Sequence, residues 1–152
     1  SIKDIEFVFK DLSHRFNLTI TFEEFLNTYY KYYDKVEYFK DVSEYEKSLK
    51  DKCFIGILSN LSVLDKSRID KQLNLSEYDY VFLSFEIGEV KPNKEIYEYV
   101  LNNVPFKGSD ILFLDDAESN INAALSLGIN ACLVKGEDLD NIKLCVNKFL
   151  DE

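Results

Sequence analysis

The chain has 152 residues, enough for one domain with a real core, and its 46% hydrophobic and 14% aromatic content excludes a disordered chain. A formal charge of −10 argues against nucleic acid or an anionic membrane surface as partner, because both need a basic face. A small phosphorylated substrate stays open, since one lysine and a metal reverse the sign inside a pocket.

The first third reads as helices. Ile2, Ile5, Phe9, Leu12 and Phe16 recur at helical spacing and form one apolar stripe. Thr21-Phe-Glu-Glu24 has the form of a capping box, with Ile20 and Phe25 flanking it as a hydrophobic staple. The helix it opens carries Phe22, Phe25, Leu26, Tyr29, Tyr30 and Tyr33 on one side. A further helix is expected over roughly Val42 to Lys50.

From Cys53 onward the rhythm becomes strand, loop, helix, repeated. Phe54-Ile-Gly-Ile-Leu58, Tyr80-Val-Phe-Leu-Ser84, Ile111-Leu-Phe-Leu114 and Ala131-Cys-Leu-Val134 are short apolar runs, as expected of strands covered on both faces. Helices are expected near 62–73, 93–103, 118–127 and 138–150, with Gly128 ending the third of these. Alternating β and α elements predict a three-layer, doubly wound parallel sheet whose ligand site lies beyond the carboxyl ends of the strands.

Three of those strand ends are polar. Ser59-Asn60 follows the first strand, where a hydroxyl and backbone amides can hold a phosphate oxygen; serine after a strand is also ordinary turn chemistry. Gly88-Glu-Val-Lys91-Pro92 places Lys91 at a helix entrance, where the macrodipole disfavours a cation unless an anion or carboxylate is close. Asp115-Asp116 ends the third strand directly, and adjacent carboxylates there repel unless a cation or donors intervene. Such oxygen ligands suit Mg²⁺; the alternative is one helix cap and one solvated aspartate. Asn120 is placed to orient the pair.

The single histidine, His14, lies among polar neighbours and reads as a surface residue, so histidine-based triads and zinc sites are not expected. Cys53, Cys132 and Cys145 show no metal-ligand spacing and sit beside apolar residues, so reduced core thiols are expected. Their odd number, with no signal sequence in this chain, fits a reducing, cytoplasmic compartment. No apolar run approaches the ~20 residues needed to span a bilayer.

Taken together, Phe54-Ile-Gly-Ile-Leu-Ser-Asn60, Gly88-Glu-Val-Lys-Pro-Asn-Lys-Glu-Ile-Tyr97 and Ile111 to Gly128 resemble the second, third and fourth motifs of the haloacid dehalogenase-like hydrolases, in order and spacing. The resemblance extends over residues 53–136 and is closest to phosphatase-like members with a helical cap. It implies that residues 37–152 form the α/β core and residues 1–36 part of a helical cap. It implies that Ser59, Asn60 and Lys91 hold a phosphoryl group, that Asp115 and Asp116 help bind Mg²⁺, and that Lys91 and Asp116 belong to the catalytic machinery. The implied reaction is hydrolysis of a small phosphate monoester through an aspartyl-phosphate; the alternative is an inactive binding or regulatory domain.

The family's first motif, a strand ending in two aspartates separated by one residue, has no counterpart here. Either residues 1–35 are cap helices, or Ile5-Glu-Phe-Val-Phe9 is a degenerate first strand in which Val8 and Lys10 replace the aspartates. Both accounts remove the nucleophile, a loss of on the order of 10⁴–10⁶ in rate, and the chain alone is expected to be inactive. In the family that strand lies between those ending at Ser59 and Asp115. The gap is expected to be closed by residues 5–9, a separate N-terminal segment, a segment exchanged from a second copy, or direct pairing of the flanking strands.

Overall fold

The computed structural model describes residues 2–33, 39–65, 69 and 74–151. It divides into two compact units, one of Ser1–Tyr38 with Val63–Leu73 and one of Phe39–Ser62 with Asn74–Glu152.

The first unit holds α1 (Ile2–Phe16) and α2 (Phe22–Tyr33). The capping box forms as the sequence predicts: the Glu24 N–H donates to Thr21 Oγ1 at 3.1 Å, and the Thr21 N–H donates to Glu24 Oε2 at 2.7 Å. Those bonds hold the Glu24 carboxyl below its usual range. Phe9 is buried against Phe22 and Phe25, with ring centroids 5.4 and 5.2 Å away. Tyr29 donates from its hydroxyl to Asp65 Oδ1 at 2.7 Å. Residues 5–9 therefore lie inside α1, not in a strand, with Phe7 and Val8 exposed. Three apolar residues in a row suit either state locally; the aromatic partners on α2 decide for helix. Of the helix expected near 62–73, residues 63–65 and 69 are helical, Ser62 precedes it, and residues 66–68 and 70–73 lie outside the described residues.

The second unit holds α3 (Lys40–Ser48), β1 (Gly56–Ser59), β2 (Tyr80–Leu83), α4 (Ser84–Ile87), α5 (Lys94–Asn103), β3 (Leu112–Asp115), α6 (Glu118–Ser126), β4 (Asn130–Leu133) and α7 (Leu139–Asp151). Gly128 takes φ 76° just beyond α6, the left-handed turn that a glycine after a helix supplies. Helix α4 was not legible beforehand, since Ser84-Phe-Glu-Ile87 is one turn too short for a periodic signal.

All the strand pairing among the described residues is parallel. β1 pairs with β2, Ile57 opposite Val81, and β3 pairs with β4, Phe113 opposite Ala131. Alternation along β3 explains its unbroken apolar run. Leu112 and Leu114 pack on a core of Leu49, Val134, Ile142 and Val146 from the α3 and α7 side. Ile111 and Phe113 pack on Ile96, Tyr97, Ala124 and Ile129 from the α5 and α6 side. The result is the expected helix–sheet–helix layering.

The sheet is nevertheless two ladders of two strands each, and β1 does not pair with β3. Direct pairing, one of the four ways of closing the gap, is thereby ruled out, as is a strand from residues 5–9. A cavity of about 740 Å³ lies along both strands, lined by Ile55, Ile57 and Leu58 on one side and Leu112 and Leu114 on the other.

One expectation is corrected outright. Cys132 on β4 and Cys145 on α7 are joined as a disulfide, leaving Cys53 as the free thiol. Their separation of 13 residues gave no signal, because strand-to-helix packing brings them together.

Candidate active site

The carboxyl ends of β1 and β3 meet at one lysine. Gly88, at φ 86°, turns the chain out of α4, and Lys91 follows on the loop to α5. That loop is tied to the end of β1 by the Asn60 amide. The Lys91 N–H donates to Asn60 Oδ1 at 2.8 Å, and Asn60 Nδ2 donates to the Lys91 carbonyl at 2.8 Å. The Lys91–Pro92 peptide bond is cis.

With its backbone held, the Lys91 side chain reaches inward. Its Nζ donates to the Leu58 carbonyl at 3.0 Å and to Asp115 Oδ2 at 2.6 Å, and lies 5.5 Å from the centre of the Phe113 ring. The two side chains are only 11% and 6% exposed, so this is a buried ion pair rather than a surface one. It resolves the conflict of a lysine at a helix entrance: the compensating charge is Asp115.

Asp115 is held from three directions. Its Oδ1 accepts the Ala117 N–H at 2.9 Å and Asn120 Nδ2 at 2.8 Å, while Oδ2 takes Lys91. Burial alone would raise its carboxyl; the Lys91 hydrogen bond, those from Ala117 and Asn120, and the charge of Lys91 outweigh it and hold the group below the usual carboxylate range. Asn120 is buried, and its own carbonyl accepts the Tyr97 hydroxyl at 3.0 Å. Burial, and then the nearby Asp115 charge, pushes that phenol up to about 12.

Asn60, Lys91, Asp115 and Asn120 thus share one hydrogen-bonded network, although 60 residues of sequence separate its ends. Ser59 is half-buried as the last residue of β1, between Leu58 and Asn60. Asp116 follows Asp115 and is exposed. The expected repulsion between adjacent acids is relieved by neutralising one and solvating the other.

Three supporting residues escaped sequence reasoning. Ser84 is buried, accepts the Leu61 N–H at 2.9 Å and donates to the Leu61 carbonyl at 3.0 Å, fixing the chain beyond β1. Tyr97 props Asn120, and Phe113 faces the ammonium. Tyr97 alone had a usable signal, since Ile96-Tyr97 begins the inward stripe of α5.

Among the described residues no group of three or more His, Cys, Asp and Glu converges as a metal cage. The chemistry of the donors fits Mg²⁺ all the same, because that ion takes one or two carboxylates and keeps waters and phosphate oxygens for the rest. Asp116 is exposed, and Asp115 Oδ2 accepts one bond where a carboxylate oxygen has about two lone pairs.

Residues 3–134 match the family model described as haloacid dehalogenase-like hydrolase. The chain belongs to that family. Curated relatives of this chain include a bifunctional epoxide hydrolase 2 of Rattus norvegicus, 31% identical over 96 residues, covering 58% of this chain and 17% of that protein. A pyrimidine 5'-nucleotidase of Escherichia coli is 32% identical over 81 residues, covering 51% and 36%. A D-ribitol-5-phosphate phosphatase of Bacteroides thetaiotaomicron is 36% identical over 55 residues, covering 36% and 27%. The chain thus spans between 17% and 36% of the length of these three proteins.

Among solved structures, a HAD-like family hydrolase from Porphyromonas gingivalis superposes with a TM-score of 0.75 at 23% identity, covering 94% of this chain and 71% of that one. A HAD-family enzyme from Bacteroides thetaiotaomicron, crystallised with magnesium and inorganic phosphate, gives 0.74 at 21% identity, covering 88% and 72%. Both likenesses establish the fold. No helix among the described residues is long and apolar enough to cross a membrane.

Proposed function

We propose that this chain carries the phosphoryl-binding and metal-side part of a Mg²⁺-dependent phosphatase acting on a small phosphate monoester. The observation that carries the reading is the buried Lys91–Asp115 pair at the carboxyl edge of the sheet. It is joined there by Asn60 from the β1 end and Asn120 from α6, and Ser59 and Asp116 are their neighbours at the ends of β1 and β3. Phosphatases among the relatives support the class of substrate.

In this reading Lys91 has two partners in turn. Without substrate it neutralises Asp115; with substrate its Nζ also faces the equatorial oxygens of the phosphoryl group, as does the Ser59 hydroxyl. Asn60 acts through Lys91, since both ends of its amide are engaged by the Lys91 backbone. Asn120 and the Ala117 N–H keep Asp115 ionised and pointed, and Tyr97 keeps Asn120 in place. Asp115 and Asp116 would hold Mg²⁺, which when bound supplies charge neutralisation for the phosphoryl oxygens. The attacking carboxylate is absent, so the chain by itself binds and does not turn over.

The test combines two measurements. Titration of the chain with inorganic phosphate in the presence of Mg²⁺ should show saturable binding that Lys91→Met abolishes. The full gene product should hydrolyse p-nitrophenyl phosphate and stop on chelation. No phosphate binding in the first overturns the reading. Binding without hydrolysis in the second favours the alternative, an inactive regulatory domain of the same fold.

A further inference from the structure

The joint beside Asp115 is held by a sulfur bridge. β3 and β4 run parallel, with Leu114 opposite Cys132 and Asp115 opposite Leu133. One residue further, the Val134 N–H donates to the Asp115 carbonyl at 3.0 Å. The disulfide from Cys132 to Cys145 therefore fastens α7 to β4 two residues before the donor that fixes the Asp115 main chain. It also closes residues 132–145 into a loop that contains the turn leaving β4 at the Asp115 edge. A longer, weaker link spans the same joint, from Asn141 Nδ2 to the Leu133 carbonyl at 3.3 Å.

Three features suit a bond that opens and closes. Both cysteines are half-buried, and their neighbours Leu133 and Leu144 are 50% and 67% exposed, so a small thiol reaches the bond from solvent. The open form is provided for as well. Ile142 and Val146 hold α7 in the core with Leu49 and Val134, and Asn141 Oδ1, 4.0 Å from the Cys145 sulfur, can accept a thiol hydrogen there. Cys53 does not compete for either sulfur. Burial, and then the Asp79 charge, raises its thiol, which keeps it protonated and a poor nucleophile.

We propose that Cys132 and Cys145 are a reversible redox clamp on the Asp115 end of the β3–β4 ladder, opened by small thiols and closed by small disulfides. Opening consumes two small thiols, which are oxidised to one disulfide; their two electrons and two protons leave Cys132 and Cys145 as thiols. Closing is the reverse, with glutathione disulfide as the oxidant. Closed, the clamp lets α7 restrain Leu133 and Val134, so Asp115 keeps a fixed main chain behind its contacts with Lys91, Ala117 and Asn120. Open, the end of the ladder frays and Asp115 samples more positions. Phosphate held there with Mg²⁺ is then bound more weakly. That last consequence alone rests on the phosphatase reading.

The experiment equilibrates the chain with glutathione disulfide or with dithiothreitol and counts free thiols with a chromogenic disulfide. Amide hydrogen exchange then reads the Val134 N–H, and titration with inorganic phosphate and Mg²⁺ reads the site. Expected after reduction are about tenfold faster exchange at Val134, an unchanged far-UV circular dichroism spectrum, and recovery on reoxidation. Phosphate affinity should fall at least about threefold on reduction, as the fixed Asp115 is lost. Cys53→Ser should respond as the wild type does, whereas Cys145→Ser should exchange at the fast rate in both buffers. Equal Val134 exchange in the two states overturns the clamp. So does loss of the helical signal on reduction, which makes the bond a structural staple, or failure of glutathione disulfide to close it. A clamp that opens while phosphate binds in neither state removes the phosphatase reading and leaves the clamp standing. Phosphate bound equally in both states overturns the link between clamp and site.

Discussion

Replacing Lys91 by methionine isolates the buried ion pair, because the thioether chain fills much of the same volume without the charge. Removing one partner of a buried pair costs ~3–5 kcal/mol, since the other charge is left uncompensated. Here Asp115 keeps the Ala117 N–H and the Asn120 amide, which offset part of that cost. A loss of ~2–3 kcal/mol is expected at pH 7. With a urea slope of ~2 kcal/mol/M the unfolding midpoint falls by ~1–1.5 M. Adding Asp115→Asn should recover a good part of the loss, giving a coupling energy above ~1 kcal/mol in the double-mutant cycle. The pH dependence has a definite sign. Asp115 titrates below its usual value, so its contribution is present above ~3.9 and is lost as pH falls through its folded value. In the variant, burial acts on Asp115 without the ammonium, so its carboxyl rises and protonation relieves the penalty. The gap between wild type and variant should therefore narrow in acid. Urea titrations followed by far-UV circular dichroism at pH 7 and pH 4 measure both. A loss below ~0.5 kcal/mol at pH 7, or a gap that widens toward pH 4, refutes the argument.

Other consequences are smaller and separately measurable. Tyr97→Phe removes the hydroxyl from the Asn120 carbonyl and should cost ~1 kcal/mol in urea unfolding. Because the Tyr97 phenol is raised to about 12, the wild type should lose stability as pH climbs from ~10 through that value, and the variant should lack this limb. Ser84→Ala strands the Leu61 N–H and carbonyl, so a loss of ~1–3 kcal/mol is expected with no change of fold by circular dichroism. At Gly108 an added Cβ would lie 2.6 Å from the Gly128 carbonyl oxygen; Gly108→Ala should destabilise by ~1–3 kcal/mol in thermal melts, and an unchanged melting temperature would contradict the packing there.

What the amino-acid sequence determined by itself is the local grammar. A strand covered on both faces needs a continuous apolar run, and the four runs from Phe54, Tyr80, Ile111 and Ala131 each became a parallel strand to within two residues. Helices α5, α6 and α7 followed from spacing and from Gly128, because capping and periodicity act within a few residues. The polar strand ends were legible for the same reason. Tertiary structure alone decided which groups pair: Lys91 with Asp115 across 24 residues, Tyr97 with Asn120 across 23, Cys132 with Cys145 between a strand and a helix. It alone decided that Phe7-Val8-Phe9 is helical, through Phe22 and Phe25 on a different element. And it left β1 and β3 apart, with an open edge between them, since local periodicity encodes how a strand is buried but not which strand lies beside it.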